Sequence, residues 1–147
     1  MDMAKRFTLP EAQSLIPLVN RLLLEAIRLK PDFDRAAGEL AKMKERIHMM
    51  GGSVVDRPPF VEVKERRDKA SQGLRKALQD LLDLGVELKD LDSGLVDFPT
   101  LFRGREVYLC WKLGETSIEF WHGEEGFRGR KPIDQDFLDN HKGDRTQ

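Results

Sequence analysis

The chain has 147 residues, the length of one ordinary domain, which is enough to bury a hydrophobic core without disulfides or bound metals. Its 25 basic and 26 acidic residues nearly cancel, so the overall charge gives no reason to expect nucleic acid or an anionic membrane as a partner. Cys110 is the only cysteine, which excludes an intramolecular disulfide and a zinc cluster built on paired thiolates.

The first predicted element is a long helix that begins at Thr8. Thr8 and Glu11 have the spacing of a capping box, and Pro10 is tolerated in a first helical turn. Apolar residues then follow a heptad stripe typical of a coiled coil: Leu15, Val19, Leu22, Ala26, Leu29, Phe33, Ala36, Leu40, Met43, Ile47 and Met50. The stripe stays in phase across Pro17 and Pro31, so we predict one helix with a bend near Pro31.

A second helix is predicted after a loop. Paired glycines and paired prolines within residues 51–59 indicate the loop, and an amphipathic pattern over residues 60–84 ends before Gly85. The short loop makes the second helix antiparallel to the first. Because the first helix is longer, the apolar side chains of its N-terminal half must be buried against the sheet or a second subunit.

Short strands are predicted after Gly85, where the apolar period changes from helical to two. Val86 and Leu88 mark the first strand, and the others cover residues 95–98, 106–112 and 117–122. The sequence therefore predicts a small antiparallel meander, and the fold class is α+β with a long kinked helical hairpin before the sheet.

The register of the last hairpin follows from its turn. Gly114 and Glu115 fit a two-residue type II′ turn, which would place Leu109 opposite Phe120 on an apolar face. His122 would lie on that same face.

We interpret residues 1–147 as a single domain with three parts. Residues 8–84 form the hairpin, and residues 86–133 form the sheet and a loop rich in glycine and arginine. Residues 134–147 are polar and lack a sustained pattern, so we expect a frayed tail.

Three segments resemble one known family: GLVDFP at residues 94–99, GREVYLCWKLGE at 104–115 and FWH at 120–122. Together with Gly126, Phe127, Gly129 and Arg130, they are similar to the bacterial family catalogued as domain of unknown function 2203. The FTLPEAQ start and the helices are similar too, so the resemblance extends to Ile133. The segment between His122 and Gly126 is shorter than in that family. The resemblance implies no established activity or cofactor.

The other face of the predicted hairpin mixes carboxylates, aromatic rings and a thiol, a combination that suits a small anionic or polar ligand. The candidate binding residues on or beside this face are Asp97, Glu106, Tyr108, Cys110, Glu119, Trp121 and Arg130. The alternative interpretation is a half-buried sheet face covered by a loop or a second subunit.

Individual residues suggest further chemistry only weakly. Cys110 lacks a nearby base, since a carboxylate such as Glu119 raises rather than lowers a thiol pKa, so a packed cysteine is favoured over a nucleophile. His122 and Glu124 are weak metal candidates, because their spacing matches no strong metal motif. Among the basic residues near Arg130, pairing with sheet carboxylates is favoured over anion binding.

The basic residues on the second helix do not indicate a nucleic-acid-binding surface. Acidic residues interrupt the basic run over residues 64–76, so a solvated, salt-bridged helix face is favoured. No apolar run approaches the roughly 20 residues that span a bilayer, and we expect a soluble cytoplasmic protein without a cofactor.

Two functional hypotheses remain. The favoured one is an oligomeric binding or scaffold module built on the helical hairpin, most simply a homodimer. The other is a small-ligand-binding or catalytic protein that uses the mixed sheet face around Asp97 and Glu119. Whether the chain is an enzyme stays open, because the sequence has no recognisable catalytic constellation.

Overall fold

The computed structural model describes residues 5–51 and 57–144 and has the predicted α+β fold. A long helix and a second helix packed against it precede a small antiparallel sheet. The elements in chain order are helices α1 (Leu9–Met49) and α2 (Arg57–Leu84), strands β1 (Glu87–Asp90), β2 (Leu95–Phe102), β3 (Arg105–Lys112), β4 (Phe120–His122) and β5 (Lys131–Pro132), helix α3 (Gln135–Asn140) and strand β6 (His141–Lys142).

Helix α1 begins with the predicted capping box. The Thr8 amide donates to Glu11 Oε1 at 2.9 Å, and the Glu11 amide donates to Thr8 Oγ1 at 3.3 Å. The helix continues without interruption across Pro17 and Pro31. One continuous helix is therefore confirmed, and the bend near Pro31 stays a prediction.

Helix α2 starts earlier than expected. Pro58 and Pro59 lie in its first turn rather than in the loop, since a proline there removes no helical hydrogen bond. Residues 52–56 of the predicted loop lie outside the described residues. At the other end, Gly85 adopts a φ of 94° and donates its amide to the Leu82 carbonyl, which ends the helix as predicted.

The chain divides into two compact units, of which residues 24–78 form one. In this helical unit, Ala26, Ala36 and Leu40 of the predicted stripe are buried, as are Val63, Ala70 and Ala77 of α2. Met50, at the end of the stripe, is 54% exposed. Exposed charges of opposite sign pair across it, for example Arg66 with Glu39 at 3.5 Å. The predicted helical hairpin is confirmed here, with small alanines allowing close packing of the two helices.

The other unit comprises residues up to 23 and from 79 onward, and it contains the sheet. The start of α1 packs on one sheet face, so that Ile16, Val19 and Leu23 join Phe98 and Leu109 in one hydrophobic core. Of the two partners considered for the N-terminal stripe, the sheet of the same chain is the one that buries it.

All strand pairs are antiparallel, in the order β1-β2-β3-β4-β5, with β6 also paired to β2. Strands β2 and β3 form a hairpin whose two turn residues, Arg103 and Gly104, have φ angles of 54° and 81°. Positive φ at both positions is the type I′ geometry that matches the twist of a hairpin. This turn joins the two central strands of the sheet.

The predicted register between β3 and β4 is wrong by one residue. Cys110 is opposite Phe120, Leu109 is opposite Trp121 and Tyr108 is opposite His122. Gly114 is the third residue of the turn, where the prediction had it as the second. The Glu115 amide donates to the Lys112 carbonyl at 2.9 Å, so the turn comprises residues 112–115. The chain then continues as a loop to Glu119 before it pairs again.

A contact from helix α1 holds that loop. The Ile118 amide donates to Gln13 Oε1 at 2.8 Å, and the Trp111 indole donates to the Glu115 carbonyl at 3.0 Å. These bonds satisfy backbone groups that a tight hairpin would have paired across the strands. The one-residue change of register follows from them, and it moves each β4 side chain to the opposite sheet face.

The C-terminal segment is ordered over residues 134–144 and does not match the expected frayed tail. Asp134 caps α3 by accepting from the Phe137 amide at 2.9 Å. The Phe137 ring is fully buried, stacks on Phe102 and His141, and contacts the Trp121 ring at a tilt. Burial of this ring and the pairing of β6 with β2 anchor the segment.

Candidate functional site

The corrected register brings four polar or reactive side chains to the sheet face opposite the core. Asp97 on β2 is opposite Cys110 on β3, and Tyr108 is opposite His122 on β4. Since paired residues share a face, Asp97, Tyr108, Cys110 and His122 lie together on that face. The core-facing residue between Tyr108 and Cys110 is Leu109, which is fully buried.

A buried pair of Asp97 and His122 forms the centre of this cluster. His122 Nε2 lies 2.9 Å from Asp97 Oδ1, and the exposed fractions of the two residues are 3% and 1%. His122 Nδ1 lies 2.8 Å from the Gly123 carbonyl oxygen. A carbonyl oxygen only accepts hydrogen bonds, so Nδ1 carries a hydrogen and Nε2 faces the Asp97 carboxylate.

The protonation of His122 follows from its neighbours. Burial by itself lowers the pKa of an imidazole, but the hydrogen bonds to Asp97, to Cys110 and to the Gly123 carbonyl raise the pKa of His122 to about 10. In the protein without a bound ligand, an imidazolium therefore pairs with a carboxylate at neutral pH. A buried ion pair of this kind is costly to desolvate and is weak evidence for a purely stabilising role.

Cys110 adjoins this pair and is fully buried. Its sulfur, one Asp97 carboxylate oxygen and one His122 ring nitrogen all lie within 4.8 Å of one another. Both ring nitrogens have oxygen partners and the raised pKa favours the protonated ring, so His122 is a poor base for a cysteine nucleophile. The neighbours of the thiol are Asp97 and His122, and the predicted neighbour Glu119 is not among them.

A cleft of about 450 Å³ opens onto Asp97 and His122, and we call it the Asp97 cleft. Its walls are aromatic, apolar and charged side chains together with glycine backbone: Lys89, Leu95, Asp97, Tyr108, His122, Gly123, Glu124, Gly126 and Phe127. The Lys89 ammonium pairs with Glu87 at 2.7 Å and lies 5.7 Å from the centre of the Tyr108 ring. The cleft thus combines a charged floor with an aromatic wall.

Two other predicted binding residues lie beside the cleft. Glu106 accepts from the Tyr108 hydroxyl at 3.3 Å and pairs with Arg6 at 3.3 Å. Burial and then the Glu106 carboxylate raise the pKa of Tyr108. Arg130 donates to Glu115 Oε1 at 2.8 Å, and its guanidinium carbon lies 4.3 Å from the centre of the Phe120 ring. The predicted pairing of a loop arginine with a carboxylate is thus present, although its partner lies in the loop after β3.

Two predicted binding residues lie elsewhere. Trp121 points to the core side, where its ring contacts Phe102 and Phe137. Glu119 is exposed, and its nearest side-chain partner is the Ser117 hydroxyl at 3.5 Å. Both placements result from the change of register between β3 and β4.

The sequence-based site prediction missed five residues of the cleft: the side chains of Lys89, Leu95 and Phe127 and the backbone of Gly123 and Gly126. Leu95 has a sequence signal, because alternation along a strand places it on the same face as Asp97. Lys89 has none, because it lies at an irregularity in the pairing of β1 with β2, between Leu88 and Asp90. Phe127 lies in a short 3₁₀ turn that no periodic pattern marks. His122, expected on the apolar face, instead bonds to Asp97.

The residues that line the Asp97 cleft all lie in a part of the chain that is similar to a known family. A family model described as an uncharacterised conserved protein (DUF2203) matches residues 5–133. The chain belongs to the DUF2203 family. Asp97, Cys110 and His122 all lie in the part that matches the family, one in each of the three segments that suggested it. No curated protein and no solved structure gives a significant match.

None of the helices within the described residues of this DUF2203 chain is both long enough and apolar enough to cross a bilayer.

Proposed function

We propose that this DUF2203 protein binds a small polar ligand in the Asp97 cleft. The observation that supports the proposal is the buried Asp97 and His122 pair at the floor of an open cleft. Buried, perturbed ionisable groups in a cleft are more frequent at functional sites than elsewhere. A ligand that reaches the pair can exchange hydrogen bonds with it in a site of low dielectric.

The charges around the cleft favour a polar ligand over a strongly anionic one. The Lys89 ammonium is already paired with Glu87, and the His122 imidazolium is paired with Asp97. The remaining charged group of the lining, Glu124, is exposed and acidic. A net positive field is therefore lacking, and a neutral or zwitterionic molecule fits these groups better than an anion.

The size and the apolar walls of the cleft also fit a small molecule. A volume of about 450 Å³ lies within the usual range of ligand sites. The rings of Tyr108 and Phe127 and the side chain of Leu95 provide apolar surface beside the charged floor. We therefore infer a ligand that has a polar end directed at Asp97 and an apolar or aromatic portion against these walls.

Fragment screening by amide NMR tests the proposal. We expect polar fragments to shift the amide signals of Leu95, Gly123 and Gly126, which line the cleft. Phe127→Ala should weaken the same fragments by about tenfold, equivalent to about 1.4 kcal/mol. Leu138→Ala is a matched control, because Leu138 is 38% exposed and Phe127 is 41% exposed, yet Leu138 does not line the cleft.

Fragments that shift amides elsewhere would contradict the proposal. Equal affinities in the Phe127→Ala and Leu138→Ala variants would contradict it as well, because the ring would then make no specific contact.

The oligomeric scaffold hypothesis has less support. The apolar residues at the start of α1 that suggested a second subunit, including Ile16, Val19 and Leu23, are buried in the core of the same chain. The homodimer, the coiled-coil pairing, the bacterial origin and the cytoplasmic location all stay predictions. Light scattering tests the homodimer. An obligate interface should hold at concentrations on the order of tens of micromolar, so a monomer at that concentration would remove the scaffold hypothesis.

A further inference from the structure

Three side chains that are typical metal ligands converge at one buried point below the cleft. A carboxylate oxygen of Asp97, the sulfur of Cys110 and a ring nitrogen of His122 lie within 4.8 Å of one another. All three residues are at least 97% buried. Surface acidic clusters are common without a ligand, but a carboxylate, a thiol and an imidazole enclosed together need a specific reason.

The hydrogen bonds around His122 orient a ligand atom toward that point. Because Nδ1 donates to the Gly123 carbonyl at 2.8 Å, Nε2 is the atom directed at Asp97. Metal-binding histidines usually have this arrangement, in which the other ring nitrogen donates to a backbone carbonyl or carboxylate. The backbone of Gly123 thus fixes both the tautomer and the ring orientation that coordination through Nε2 requires.

The histidine and carboxylate atoms are near the spacing of a tetrahedral site, and the sulfur lies within 4.8 Å of both. Bond lengths typical of zinc place its nitrogen, oxygen and sulfur ligands about 3.4–3.6 Å apart. Nε2 of His122 and Oδ1 of Asp97 are 2.9 Å apart, so an ion between them needs these atoms to separate by about 0.5 Å.

The chemistry of the three donors selects the kind of ion. We propose that Asp97, Cys110 and His122 bind one Zn²⁺ ion, with the fourth position facing the Asp97 cleft. Coordination releases the Nε2 proton of His122 and the thiol proton of Cys110 to solvent. The resulting thiolate and the carboxylate balance the two charges of the ion, which lowers the cost of burial. Sulfur and imidazole ligands favour zinc over magnesium or calcium. Three protein ligands and an open position are typical of catalytic rather than structural zinc sites.

The titration of wild-type protein with Co²⁺, a spectroscopic substitute for Zn²⁺, provides the test. Cys110 is the only cysteine in the chain, so a thiolate-to-cobalt absorption band reports coordination by this residue without any variant. We expect the band to saturate at about one Co²⁺ per chain and to disappear when Zn²⁺ is added. Zn²⁺ should also raise the melting temperature, as expected for a ligand that binds the folded state.

Two variants and a control assign the ligands. Cys110→Ser should remove the thiolate band, and Asp97→Asn should weaken Co²⁺ binding by at least about tenfold. His48→Gln replaces an exposed histidine of α1 outside the cluster and should leave the titration unchanged. Near-ultraviolet circular dichroism of the metal-free variants shows whether each one folds.

The absence of a thiolate band in folded wild-type protein would overturn the proposal. So would a band that Asp97→Asn leaves unchanged, because the three-ligand site would then be wrong. The test uses the metal alone, and it therefore fails or succeeds independently of polar-ligand binding. A protein that binds Co²⁺ through Cys110 but no polar fragment would retain the metal site and lose the proposed function.

Discussion

The replacement of Asp97 by asparagine should change how stability depends on pH. The carboxylate is the first of the neighbours that raise the pKa of His122, which is about 10 in the folded chain and has an ordinary value of 6.5. Because the folded pKa is raised, the stabilisation is fully present below the unfolded pKa and is lost as the pH rises toward 10. In Asp97→Asn, the amide can still donate to Nε2 of a neutral imidazole, so the part of this pH dependence that Asp97 causes disappears.

The size of the effect follows from the shift in the pKa. A difference of about 3.5 pKa units corresponds to an upper limit of about 5 kcal/mol, with a slope of at most about 1.4 kcal/mol per pH unit. Because Cys110 and the Gly123 carbonyl also raise this pKa, we assign about half of that total to Asp97. Wild type should therefore lose about 1.5 kcal/mol of its free energy of unfolding between about pH 7 and pH 9.5, relative to Asp97→Asn.

Urea unfolding at several pH values, with a chelator present to exclude metal binding, measures this difference. The free energies of unfolding of the two proteins should converge as the pH rises, because the charged pair no longer stabilises wild type there. Glu119→Gln is the control, because its exposed carboxylate should leave the curve parallel to that of wild type. Parallel curves for wild type and Asp97→Asn would refute the assignment of a charged pair.

Two further substitutions test the packing of the sheet unit. Phe137→Ala should lower the free energy of unfolding by about 3–5 kcal/mol in urea titrations, since the ring is fully buried, and a loss below about 1 kcal/mol would show that α3 is not part of the core. Gly94→Ala should destabilise more than Gly104→Ala: both glycines have positive φ, but only at Gly94 would the added Cβ lie 2.5 Å from Leu113 Cβ. Equal melting temperatures for these two variants would contradict that contact.

Local sequence patterns predicted most of the fold. The capping box at Thr8 and the apolar stripe of α1 each report contacts within one or two helical turns. The capping box is present, and five residues of the stripe are buried: Val19, Leu22, Ala26, Ala36 and Leu40. The same locality explains why the helical hairpin and the period-two strands could be recognised without tertiary information.

The candidate site could be predicted only in part. Asp97, Tyr108 and Cys110 share a face because alternation within a strand is a local property. The placement of His122 depends on the loop before β4, which Gln13 holds by a bond that spans 105 residues of sequence. A contact of that range has no signature in the turn residues themselves, and the predicted register therefore failed there.

The order of residues 134–144 could not be predicted for a related reason. Asp134 and Phe137 have the spacing of a helix cap, but a helix of six residues has little stability of its own. The burial of Phe137 against Phe102 and Trp121 is what anchors the segment, and that contact exists only in the folded sheet.

Both the Asp97 cleft and the metal site depend on the register between β3 and β4. Cross-strand nuclear Overhauser effects between backbone protons measure this register. We expect contacts that pair Cys110 with Phe120 and Tyr108 with His122. Contacts that pair Leu109 with Phe120 would contradict it, because His122 would then face the core, away from Asp97.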